Sequence, residues 1–215
     1  VSKNYKLVGC DASGLELRML AHYMNDEKYT NTILTGDIHT ANQNAAGLPT
    51  RDMAKTFIYG FLYGAGDAKI GEIVGKGAKE GKKLKETLLN NTPALKILRD
   101  KVLVASERGY LKGLDGRKLH VRSTHAALNV LLQGGGAIVM KKALALVYKY
   151  SKEENLDFKL VLNIHDEWQC EVKEEDSIRF GELSVKAIKD AGDYFNFRCP
   201  LDGEYKIGDS WYDTH

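Results

Sequence analysis

A chain of 215 residues with 43% hydrophobic and 28% charged residues has the make-up of an ordinary soluble protein, long enough to bury a real core in one large domain or two small ones. Its three cysteines, Cys10, Cys170 and Cys199, are widely spaced and form no CxxC pair, which argues against a zinc site or a disulfide framework and for a reducing compartment. A net charge of +2 is too small to argue for nucleic acid by itself, no apolar run approaches the roughly 18 residues that cross a bilayer, and the segment from Val1 shows no leader, so no membrane partner is expected.

Tyr5 to Cys10 is a short apolar run that reads as a buried strand. Asp11 ends it, Ala12-Ser13-Gly14 turns the chain, and Ser13 can cap a helix containing Leu15, Leu17, Leu20, Ala21 and Met24. An aspartate at such a turn serves either as a local cap, the commoner use, or as a cation ligand. Asp26 to Leu34 reads as a helix stopped at Gly36, and Asp37-Ile38-His39-Thr40 opens another that runs to Gly47. His39 is either a ligand-binding side chain or an ordinary half-buried histidine.

Arg51 to Gly66, RDMAKTFIYGFLYGAG, organises the chain. Arg51, Lys55, Tyr59 and Tyr63 are four residues apart, so on a helix they form one slowly winding stripe of two cations followed by two phenols. Phe57, Ile58, Phe61 and Leu62 fill the other faces, Thr50 can cap the start, and Gly64-Ala65-Gly66 ends it. Cations for phosphate and flat rings for a base suit a nucleotide; a buried helix whose cations reach solvent is the plainer alternative.

A short helical piece follows from Asp67 to Val74, and then the lysine-glycine run GKGAKEGKKLK, Gly75 to Lys85, which is either a solvated helix face or a source of phosphate attraction. Pro93 starts a helix through Leu95, Leu98, Val102 and Leu103. Asp115-Gly116, between Tyr110–Leu114 and Arg117–Val121, predicts a hairpin with a tight turn at positive φ. His125 to Tyr150 is helical by pattern but interrupted at Gln133-Gly134-Gly135-Gly136, since each glycine costs roughly 1 kcal/mol in a helix. Close approach of a backbone or ligand would explain them, as would a kink. Asn129 and Gln133 lie one turn apart and can point their amides the same way. Asp157–Ile164 and Trp168–Val172 read as strands around His165-Asp166-Glu167, a hairpin tip. Glu174 to Phe195 is an amphipathic helix with Ile178, Leu183, Val185 and Ile188 inward, and the tail forms a short strand and a closing segment.

In this order, DASGLELR (Asp11 to Arg18), RDMAKTFIYGFLYGAG and HDE (Asp166 at its centre) resemble the A family of DNA polymerases, particularly the replicative enzymes of podovirus-type bacteriophages. DIHT at 37–40, GLDGRK at 113–118, HAALN at 125–129 and the Gln133 segment support the match, which covers essentially the whole chain. The resemblance implies an α+β right-hand architecture lacking the thumb: an antiparallel palm sheet from 1–24 and 129–215, and a helical fingers insertion from 25–128. It implies template-directed addition of deoxynucleotides to a primer 3′-hydroxyl, with two Mg²⁺ held by Asp11, Asp166 and the Ala12 carbonyl, and Glu167 nearby.

In the same way, Arg51, Lys55 and His39 would hold the triphosphate, Lys55 acting in catalysis as well. Tyr59 would sit beside sugar and base, and Tyr63 would stack at the template. Asn129 and Gln133 would contact primer-template DNA, and His165 would position the primer end. Glu16 would exclude a ribose 2′-hydroxyl, which favours deoxynucleoside triphosphates over ribonucleotides, and a tyrosine at position 59 implies tolerance of dideoxynucleotides. The family's thumb and exonuclease parts would precede the first motif, so the chain is expected to be a piece of a longer enzyme or one half of a split one. Two readings stand beside synthesis: a DNA- or nucleotide-binding part inactive without a separate thumb/exonuclease chain, and a two-metal nuclease, which leaves Arg51, Lys55, Tyr59 and Glu16 unexplained. The expected location is the cytoplasm of a host cell.

Overall fold

The computed structural model describes every residue from Val1 to His215. The chain opens with β1 (Tyr5–Ala12) and continues through five helices, α1 (Leu15–Met24), α2 (Glu27–Thr35), α3 (Ile38–Ala46), α4 (Arg51–Leu62) and α5 (Asp67–Glu72). Two longer helices, α6 (Ala78–Asn91) and α7 (Pro93–Ser106), lead into the hairpin β2 (Tyr110–Lys112) and β3 (Lys118–His120). Then come α8 (Ala127–Glu153), β4 (Phe158–Ile164), β5 (Glu167–Lys173), α9 (Ser177–Tyr194), β6 (Gly203–Gly208) and α10 (Trp211–Thr214). Two compact units result, one of residues 1–19 and 135–215 and one of residues 20–134, and the chain passes between them within α1 and α8.

The first unit is built on a four-stranded antiparallel sheet in the order β4-β5-β1-β6. β1 is central and its middle, Leu7 to Cys10, is buried on both faces, as its unbroken apolar run requires. One face carries Val8, Cys10, Trp168 and Cys170 and is apolar. The opposite face carries Gly9, opposite Gln169, and Asp11, opposite Glu167. At Gly9 an added Cβ would lie 2.7 Å from the Thr214 carbonyl, so only glycine lets α10 come this close. α9 packs on the sheet through Phe180, Leu183, Ala187, Ile188 and Ala191, a run at helical spacing. Ile178, expected inward, is 62% exposed because it precedes that stripe, and Val185 is only half-buried.

The second unit is helical apart from β2–β3. Asp26, Asp37 and Thr50 cap α2, α3 and α4 with their side chains, and Pro93 opens α7, all positions at which these residue types satisfy or avoid free backbone N–H groups. The lysine-rich run forms the solvated face of α6, with Lys82 and Lys83 paired to Glu86 and Glu80, while Lys85 reaches Asp67 at 3.0 Å. The β2–β3 connection is longer than a two-residue turn: Gly113 N–H donates to the Arg117 carbonyl, and only Gly116 takes positive φ, 86°.

α8 corrects two expectations. It runs 27 residues straight through Gly134–Gly136 without a break. The glycines answer to side chains instead: a Cβ on Gly134 would come within 2.8 Å of Leu119 Cδ1, and one on Gly136 within 3.3 Å of Leu15. This helix is also apolar and long enough to cross a bilayer by composition alone, contrary to the absence of any such run read from the sequence. Half of its most apolar window is buried within the protein, which suits a core helix.

Candidate functional site

The first unit gathers carboxylates at one end of its sheet. Strand register sets Asp11 on β1 directly opposite Glu167 on β5 and Glu204 on β6, so all three project from the same face. Asp166 forms the tip of the β4–β5 hairpin with His165, whose φ of 51° lets a two-residue connection close. The Ala12 N–H donates to the Asp166 carbonyl at 2.9 Å, pinning that tip to the end of β1. Asp11 thus has Asp166, Glu167 and Glu204 as neighbours. Although Asp11 presents surface to solvent, loss of surrounding water, then the charges of Asp166, Glu167 and Glu204, push its carboxyl up to about 6, with His215 opposing.

Glu167 is treated differently. Burial would raise it, but hydrogen bonds from Gln169 Nε2 at 2.5 Å and from Trp211 Nε1 at 3.1 Å, and His215 Nδ1 at 2.7 Å, hold its carboxyl below the ordinary value. It is therefore a fixed, charged group beside Asp11 and Asp166. Glu204 and this Trp211–His215 anchor were not legible in the sequence, because only the register of β6 and the fold of the tail bring them to Asp11. Glu16 lies half-buried in the first turn of α1, and Arg18 ties that helix to the carbonyls of Ser13, at 2.8 Å, and Pro200.

The second unit presents the stripe on α4. Ala54, Phe57, Ile58, Phe61 and Leu62 are buried, which leaves Arg51, Lys55 and Tyr63 exposed and Tyr59 half-buried along the opposite side. Ring centroids of Tyr59 and Tyr63 are 6.2 Å apart, and those of His39 and Tyr59 are 6.3 Å apart, so α3 adds a third ring to the run. His39 titrates below its ordinary value, first through burial and then through the charges of Arg51 and Lys55, with Asp37 opposing. At neutral pH it is an uncharged imidazole, and its Nδ1 is buried without a hydrogen-bond partner. Arg51 Nε donates to Asp37 Oδ2 at 2.6 Å. The helix ends at Tyr63, and Gly64, at φ 79°, takes a conformation and a space no other residue fits: a Cβ would lie 2.5 Å from the His125 carbonyl oxygen. Asn129 and Gln133 sit one turn apart on the part of α8 in this unit, Gln133 exposed and Asn129 with a buried, unpartnered Oδ1.

The residues expected to hold cations thus meet in one unit, and those expected to hold a triphosphate and base meet in the other. Chemically, the first is a set of hard oxygens under mutual repulsion, suited to divalent cations. The second offers point charge, a planar guanidinium and π faces, suited to an anion joined to a flat ring.

Comparison with known proteins bears on the family and the fold. A model of DNA polymerase family A matches residues 1–213. The DNA-directed DNA polymerases of Enterobacteria phage T3 and Escherichia phage T7 are each 48% identical over 238 aligned positions, covering 99% of this chain and 34% of the relative. DNA polymerase I of Geobacillus stearothermophilus is 27% identical over 98% of the chain and 26% of its own length. The chain therefore spans about a third of the length of the phage relatives it matches. Among solved structures, the POL domain of Pol1 from M. smegmatis, in complex with DNA primer-template and dNTP, superposes over the whole chain and 41% of that protein with a TM-score of 0.87 at 24% identity. The antiparallel sheet with flanking helices is accordingly the palm-and-fingers type of polymerase fold. The family model covers nearly every residue, and the chain belongs to DNA polymerase family A.

Proposed function

We propose that this chain is the nucleotide-adding part of a template-directed DNA polymerase of the podovirus-phage type. It extends a primer 3′-hydroxyl with deoxynucleotides and releases pyrophosphate, residues 1–24 and 129–215 acting as palm and 25–128 as fingers. The observation that carries this reading is the end of the sheet, where Asp11 stands among Asp166, Glu167 and Glu204 and is lifted to about 6.

That excess of negative charge fits Mg²⁺. The side chains close no group of three or more His, Cys, Asp or Glu into a metal cage. Mg²⁺ needs none, because it commonly takes one or two carboxylates and completes its shell with water and substrate phosphates. Asp11, Asp166 and the Ala12 carbonyl would hold two such ions, which when bound supply Lewis-acid stabilisation to the attacking and leaving oxygens. Arg51 and Lys55 bind the triphosphate and offset charge developing on the leaving pyrophosphate, with the neutral His39 as a further hydrogen-bond donor. Tyr59 lies along the sugar and base, Tyr63 stacks at the template, and Glu16 closes the space a ribose 2′-hydroxyl would need. Asn129 and Gln133 contact primer-template, and His165 positions the primer end.

Primer extension in Mg²⁺ tests this directly. Asp166→Ala is expected to lower the rate by about a thousandfold or more, with primer-template still bound. Extension by that variant at the native rate would refute the reading. A native chain that binds nucleotide without extending the primer would favour a binding part that works only with a separate thumb/exonuclease chain, an outcome the one-third coverage of its relatives makes worth separating.

A further inference from the structure

Asp37 has no part in the roles given above, yet two of the nucleotide-binding groups depend on it. Its Oδ1 accepts the backbone N–H groups of His39 and Thr40 at 3.0 and 3.3 Å, the N-cap of α3. Its Oδ2 accepts Thr40 Oγ1 at 2.8 Å and Arg51 Nε at 2.6 Å. A carboxylate has about four acceptor positions, and here all are engaged. The Arg51 bond first, then those from Thr40, holds this carboxyl far below the usual carboxylate range, so it stays charged.

A guanidinium has five donors in one plane. Committing Nε to Asp37 fixes that plane while leaving the two terminal amino groups for another anion. The same carboxylate, by capping α3, fixes the start of the helix on which His39 sits. A lysine at 51 would have no such division, since its single nitrogen would have to choose between Asp37 and a ligand.

We propose that Asp37 is a positioning residue for the incoming nucleotide: one carboxylate sets both the plane of the Arg51 guanidinium and the first turn of α3 that presents His39. The inference rests on the reading of Arg51 and His39 as triphosphate donors. A donor already oriented loses less freedom on binding, so Asp37 contributes to nucleotide affinity without touching the nucleotide.

The alternatives give different results. As an ordinary exposed ion pair, Asp37–Arg51 would contribute little to anything. As a competitor for the guanidinium, Asp37 would weaken nucleotide binding, and its removal would tighten it. The discriminating variant is Asp37→Asn, because asparagine caps helices as well as aspartate does but carries no charge. Deoxynucleotide affinity is measured in the complex with primer-template, on the full protein, for Asp37→Asn, Arg51→Ala and the double variant.

Asp37→Asn is expected to weaken nucleotide binding about five- to tenfold, with the maximal incorporation rate and primer-template affinity each within about twofold and the melting temperature nearly unchanged. In the Arg51→Ala background the same change is expected to add less than about twofold, since it acts largely through Arg51. Unchanged or tighter nucleotide binding in Asp37→Asn, or full additivity in the double variant, would overturn the inference while leaving the nucleotide reading intact, provided Arg51→Ala alone weakens binding. If Arg51→Ala alone leaves nucleotide affinity unchanged, the reading of the site fails and the inference falls with it.

Discussion

Asp11, Asp166, Glu167 and Glu204 come together from three strands and a hairpin tip far apart in the chain, whereas Arg51, Lys55, Tyr59 and Tyr63 follow one another along a single helix. The two sites also hold their charge differently. At the end of the sheet loss of surrounding water, and then the crowding of like charges, raises Asp11 to about 6. On the helix face one of the two cations is already matched, Arg51 being bonded to Asp37 at 2.6 Å, while Lys55 is exposed. A site under internal repulsion gains by taking up cations; a site with an already oriented cation gains by accepting an anion without rearranging. The difference suits the two regions to different ligands.

The comparison breaks most visibly at Lys55. Lys55→Ala or Arg51→Ala is expected to weaken deoxynucleotide binding about ten- to a hundredfold, the range for losing a charge-assisted contact to phosphate, while primer-template affinity changes little. Titrating nucleotide and DNA separately against each variant checks this, and a larger loss for DNA would show that the helix face was assigned to the wrong ligand. A smaller effect is expected at the end of the same helix. Gly64→Ala must place a Cβ 2.5 Å from the His125 carbonyl at a φ of 79°, and a loss of about 1–3 kcal/mol of stability should follow, read by denaturant unfolding. A neutral result would mean that the helix end rearranges freely.

The smallest effect sharpens the other side. Asp11 titrates higher in the folded chain, about 6, than its ordinary value of 3.8, so folding favours its protonated form. Its contribution is therefore full below pH 3.8 and is lost as pH rises through about 6. Asp11→Asn removes the charge and should stabilise the protein at pH 8 by about 1 kcal/mol or less, given solvent screening. That gain should shrink towards zero near pH 4. Thermal unfolding of both proteins across this range measures it, and a gain that grows on acidification would contradict the raised titration of Asp11 by burial and neighbouring charge.

What was legible in the sequence follows from the same contrast. The α4 stripe could be read from four-residue spacing, and Thr50 and Gly64 marked its ends, because helix periodicity and capping are local. The β4–β5 hairpin was legible for the same reason. The carboxylate cluster was legible only through the motif resemblance, which grouped Asp11, Asp166 and Glu167: from local pattern Asp11 alone reads as a cap, and the register of β1 with β5 and β6 is what makes it a member of a charged set. Glu204 and the Trp211–His215 anchor on Glu167 left no local signal. Local logic also misled where tertiary packing decides, as at Gly134 and Gly136, which looked like a break in α8 and instead make room for Leu119 and Leu15. Ile178 was placed inward by amphipathic pattern, but the stripe that α9 buries begins at Phe180.

The most direct measurement of the central claim is single-turnover nucleotide incorporation, resolved into nucleotide affinity and rate of chemistry, on Asp166→Ala and Lys55→Ala side by side. The account predicts that Asp166→Ala loses about a thousandfold or more in rate with lesser loss of nucleotide affinity, and that Lys55→Ala shows a marked loss of affinity. Two variants that fail in the same way, or an Asp166→Ala protein with native chemistry, would contradict it.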